Sequence, residues 1–137
     1  FLSALALANF AKKYGAKSVH MICLLLAAIG FLAFPHIENK NLLFFAISGF
    51  GIGWASMMGI PYLLVVGDIP KERYGVYMGI INMMIVIPMI LQNVTFGYIL
   101  KNFLDNDPRN AITFAGVLLA IAAVATAFIK PSPTKVA

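Results

Sequence analysis

The side chains in this sequence able to do chemistry are few and sit in apolar company. Trp54, Tyr62, Asn82 and Asn93 interrupt runs built mostly from Leu, Ile, Val, Met, Phe, Ala and Gly. Asn82 and Asn93 are eleven positions apart, close to three turns, so a helix sets both on one face about 16 Å apart with Met89 between them. An amide inside such a run turns away from hydrocarbon. It meets either a neighbouring helix or a wet cavity, where it can bond a ligand hydroxyl. Trp54 lies near the middle of its run, away from the headgroup level where membrane Trp concentrates. Its indole either fills space between helices or stacks on the apolar face of a sugar ring, and Tyr62 offers a similar surface. Trp54, Tyr62 and Asn82 are therefore the candidates for lining a cavity.

Other chemistries lack their residues. The sequence offers no nucleophile–base pair, no cluster of metal ligands and no glycine loop for phosphate, so neither an enzyme nor a cofactor or metal site is expected. The single cysteine, Cys23, lies in an apolar run and reads as a small buried hydrophobe. His20 and His36 stand near the ends of apolar runs and read as interfacial. No run carries an acid or base deep in its interior, so any ion-coupling residues are expected outside this stretch.

The elements that must position these side chains follow from composition. Hydrophobic residues make up 61% of the 137 positions and charged residues 11%. Soluble domains average about 45–50% and about 25%. That much apolar surface cannot be hidden inside one small globule, and a chain so apolar and so weakly charged is not disordered. A membrane helix needs about 20 largely apolar residues. Positions 18–34, 42–67, 74–100 and 111–129 qualify, and 1–11 reads as the end of a fifth helix that the chain enters partway. Alternating segments of a β-barrel are missing from the pattern. The fold class is an all-α, polytopic membrane helix bundle, one partial domain over residues 1–137.

Charge orients it. The first, third and fifth gaps between apolar runs hold seven cations (Lys12, Lys13, Lys17, Lys71, Arg73, Lys130 and Lys135), against Lys40, Lys101 and Arg109 on the other side. The positive-inside rule places the seven, and the C-terminus, in the cytoplasm. Cations dispersed in this way do not form a nucleic-acid surface.

Local features refine the long runs. Gly51, Ala55 and Gly59 recur every four positions, and Gly49 and Gly53 form a second pair; such stripes let helices approach closely in lipid. Pro61 and Pro88 lie inside helical patterns and are expected to kink them. Asp68, Lys71, Glu72 and Arg73 crowd one short cytoplasmic loop, with Asp68 a candidate cap for the helix that follows.

The stretch from Gly51 to Pro88 resembles the major facilitator superfamily, specifically its sugar–cation symporters: the sucrose-transporter-like and glycoside–pentoside–hexuronide carriers, including bacterial maltose/sucrose permease-like members. The carrying residues are Gly51-Ile52-Gly53-Trp54-Ala55, Ile60-Pro61-Tyr62, Gly75-Val76-Tyr77-Met78-Gly79-Ile80, Asn82 and Ile85-Val86-Ile87-Pro88. Positions 75–88 fit the pattern G-x-x-x-G-I-x-N-x-x-I-V-x-P of that family's penultimate helix, whereas Met89 stands where a Gln is common. Ala8-Asn9 with Lys12-Lys13-Tyr14-Gly15 and Lys17 is similar to the basic loop between helices 8 and 9. The resemblance implies the end of helix 8 plus helices 9–12, the C-terminal part of a carrier in the cell (inner) membrane. It also implies the partners: the missing N-terminal half, a sugar (a disaccharide or glycoside), a coupling cation (H+ or Na+) and the lipid bilayer, with no nucleic acid. Trp54, Tyr62 and Asn82 would then face the cavity, and Asp68, Lys71, Glu72 and Arg73 the inner gate. A drug or metabolite exporter, or a small complete membrane subunit or assembly protein, are the alternative readings.

Overall fold

The computed structural model describes residues 2–66 and 69–130. Five helices follow one another: α1 (Leu2–Tyr14), α2 (Ala16–Ala33), α3 (Lys40–Val66), α4 (Tyr74–Phe103) and α5 (Pro108–Ala127). Single 3₁₀ turns at Phe34–His36 and Lys71–Arg73 lie in the connections, and there is no strand among the described residues. Four segments, Ala16–His36, Lys40–Val66, Lys71–Phe103 and Pro108–Ala127, are long and apolar enough to cross a membrane.

Helix ends are set by local bonding more than by where the apolar runs stop. Asn39 starts α3, its side-chain oxygen accepting the Asn41 N–H at 2.9 Å. Asp107 caps α5, its carboxylate accepting the Arg109 N–H at 2.8 Å just ahead of Pro108 at the first helical position. Between α4 and α5 the chain reverses through Asp105 and Asn106, both at positive φ near 54°, residue types that tolerate this left-handed conformation. At this turn the helices reach beyond the apolar stretches, α4 taking in Lys101 and α5 Arg109, whereas α5 finishes at Ala127, short of position 129. Both α3 and α4 continue unbroken through Pro61 and Pro88. Each proline removes one backbone donor.

α2 is the centre of the bundle, with α3 and α5 packed along it and α1 leaning on both α2 and α3. Gly53 of α3 faces Ala27 and the Cys23 carbonyl, while Gly30 of α2 faces Ala46. These pairs run in opposite directions, so α2 and α3 are antiparallel. A Cβ placed on Gly30 would sit 2.5 Å from the Ala46 carbonyl oxygen, closer than any real side chain comes. The absent side chain is what lets the two backbones touch. Leu7, Val19, Cys23 and Ile60 close the core where α1, α2 and α3 meet. α4 has no buried residue and packs extensively on no other described helix.

Candidate functional site

Helix α3 divides its surface between two tasks. Ala46, Gly53, Ser56 and Ile60 are buried, with Gly49 half-buried against the Leu26 carbonyl, at spacings of three and four that define one face. Phe50, Trp54, Met58 and Tyr62, four residues apart, form a strip that winds off that face. At one end the Phe31 ring of α2 stacks on Phe50 at 4.6 Å, and Phe50 leans on Trp54 at 5.9 Å. The Trp54 indole remains 53% exposed. At the other end the Tyr62 hydroxyl donates to the Asn82 side-chain oxygen at 2.6 Å, tying α3 to α4.

The structure thus joins two of the three cavity candidates directly and sets the third, Trp54, two turns along the same strip. The pair is not chemically exhausted. The Asn82 amide nitrogen keeps two donors, and the Tyr62 oxygen keeps acceptor capacity. An exposed indole two turns from such a pair gives the strip an apolar platform with polar groups at its end, a mixture of the kind that lines small-molecule sites.

The small-residue stripes separate in the structure. Gly49 and Gly53 make the close approach to α2. Gly51 and Gly59 have open space where a Cβ would stand, and Ala55 packs at the edge of the α1–α2–α3 core. Of the stripe Gly51, Ala55 and Gly59, only Ala55 meets a described helix. Both glycines lie on the turns of the α3 surface that no described helix covers, leaving backbone uncovered near the aromatic strip. Lys71, Glu72 and Arg73 form an exposed 3₁₀ turn ahead of α4, and Asp68 lies outside the described residues.

One polar pair was not legible as such. His20 of α2 is not a surface residue of the bundle; it is buried, its Nδ1 2.7 Å from the Ser56 Oγ of α3, and Ser56 is fully enclosed. The imidazole tautomer sets which of the two donates. A signal was present in the sequence: Ser56 continues the Gly49–Gly53 face by three residues, so its hydroxyl had to meet a neighbouring helix.

The whole chain, residues 1–137, matches the family model of the Major Facilitator Superfamily. No curated protein and no solved structure gives a match. With four helices of spanning length and apolarity in an all-helical bundle, the match settles the class: this chain belongs to the major facilitator superfamily of membrane transporters.

Proposed function

We propose that the chain forms the end of helix 8 and helices 9–12 of a secondary active transporter that carries a sugar, a disaccharide or glycoside, together with H+ or Na+. The observation that carries this reading is the exposed Trp54 on a strip that ends in the Tyr62–Asn82 hydrogen bond between α3 and α4. An indole offers its face to the C–H face of a pyranose, while a phenol and an amide match hydroxyls as both donors and acceptors. In carriers of this architecture two repeats rock about a site near the midplane. Here α3 and α4 supply one wall of that site, and the remainder of the carrier supplies the other wall and the ion-coupling groups. The Lys71–Arg73 turn, with Asp68, lies at the cytoplasmic gate, and the C-terminus is cytoplasmic in the cell membrane.

The test is uptake of labelled maltose and sucrose by cells expressing the intact gene product, with and without an ionophore. Uptake that collapses with the ionophore is the expected result. Absence of sugar uptake together with resistance to toxic compounds on expression overturns it in favour of an exporter.

A further inference from the structure

Charge is distributed unevenly over the end of the bundle where α1 finishes, α2 begins and α5 finishes. Lys12, Lys13 and Lys17 flank the α1–α2 turn and Lys130 follows α5, while positions 1–37 and 111–137 contain no acid at all. The α3–α4 connection at the same end is different, since Asp68 and Glu72 offset Lys71 and Arg73. The excess positive charge of this end therefore belongs to one edge, formed by α1, α2 and α5. Lys17 fixes that edge in space. Its ammonium donates to the Ala127 carbonyl of α5 at 2.7 Å, bringing the start of α2 against the end of α5 and close to Lys130. One of its three N–H groups is used in this way, and two remain.

Aromatic and apolar groups surround these cations. Phe10 stacks on Tyr14 at 6.1 Å, and the Lys13 ammonium lies 5.2 Å from the Tyr14 ring centre. Phe10, Tyr14 and Phe128 are all more than half exposed. Tyr and Lys at helix ends mark the depth of lipid headgroups, and basic clefts between helices at that depth recognise anionic ones. The exposed Phe10 and Phe128 rings give acyl chains a surface, which a free phosphate does not use.

We propose that Lys12, Lys13, Lys17 and Lys130 form a binding site for the headgroup of an anionic phospholipid in the leaflet facing this end. This goes beyond the sugar reading and stands without it. The experiment uses the intact carrier, purified in detergent and titrated with phosphatidylglycerol or phosphatidylcholine while bound lipid is counted by native mass spectrometry. Phosphatidylglycerol is expected to bind in preference to phosphatidylcholine. Replacing Lys12, Lys13 and Lys17 together by Gln is expected to weaken it about a hundredfold, at about fivefold per charge. The same positions as Arg retain it, and Gln at Lys40, Lys101 and Arg109 leaves it unchanged. Equal loss in both glutamine triples, or no loss in the first, overturns the site. Should that triple fail to fold, a photoactivatable phosphatidylglycerol on the wild-type carrier decides: adducts within residues 6–17 and 127–130 support the site, and adducts concentrated elsewhere refute it.

Discussion

Helices α3 and α4 are alike in sequence and opposite in packing. Both are long and apolar, both contain an internal proline, and both carry several glycines. Yet α3 is sealed along one face against α2, whereas α4 is joined to it through the Tyr62–Asn82 bond and buries nothing. Gly75, Gly79 and Gly97 of α4 meet no neighbour among the described residues, while Gly49 and Gly53 of α3 lie against backbone and Cβ atoms of α2. A small residue thus permits close packing without compelling it. What decides is whether the partner presents a matching contour, as α2 does with Gly30 and Ala27. Among the described helices, α2, α3 and α5 thus form one packed unit, while α4 keeps its faces open to whatever else the carrier places against it.

The sharpest way to break this contrast is to add one methyl group on each side of it. Gly30→Ala drives a Cβ into the Ala46 carbonyl and is expected to cost about 3 kcal/mol, at the upper end of ordinary overpacking. Gly79→Ala meets open space and is expected to be neutral or to stabilise by up to about 1 kcal/mol through helix propensity. Thermal unfolding of the detergent-solubilised carrier measures both. Equal costs at the two positions would show that α4 is gripped as closely as α3 in the intact protein.

A smaller effect is expected at the buried polar pair. Ser56→Ala leaves His20 enclosed without its partner, at about 1–2 kcal/mol. In the double variant with His20→Leu the two losses should fall short of additivity. A strictly additive cycle would mean that the 2.7 Å contact contributes nothing.

The smallest effect on stability is expected at the α3–α4 bridge. Asn82→Leu removes one exposed interhelical bond, about 0.6 kcal/mol by the average for such bonds in membranes. Transport is expected to fall much further than the amount of inserted protein. Normal uptake kinetics with depleted membrane protein would reverse the assignment and make Asn82 a packing residue.

Much of this architecture can be read from the chain. The apolar runs overlap the observed helices, although 18–34 and 111–129 extend past the ends of α2 and α5 at Ala33 and Ala127, and Tyr62 and Asn82, polar groups in apolar surroundings, are in contact. The two small-residue stripes could not be ranked, because Gly49–Gly53 and Gly51–Ala55–Gly59 repeat at the same interval of four and only the α2 surface distinguishes them. The His20–Ser56 pair was hidden for a related reason. Its members lie 36 positions apart, on helices whose register is set by the glycines between them. Helix ends were obscured because Asn39, Asp105, Asn106 and Asp107 act through local bonds and backbone angles that hydropathy does not report.

The junction of α1 and α2 is a single residue, Gly15, at φ +87°, a conformation open to glycine and strained for other residues. A link so short has no slack. Two helices joined by a long loop can slide past each other along their axes; here any axial travel of α1 must be handed directly to α2. Because α2 is also the spine to which α3 and α5 are fastened, the α1–α2 hairpin behaves as a bell crank. A pull at one arm turns the other, and the packed half of the bundle turns with it.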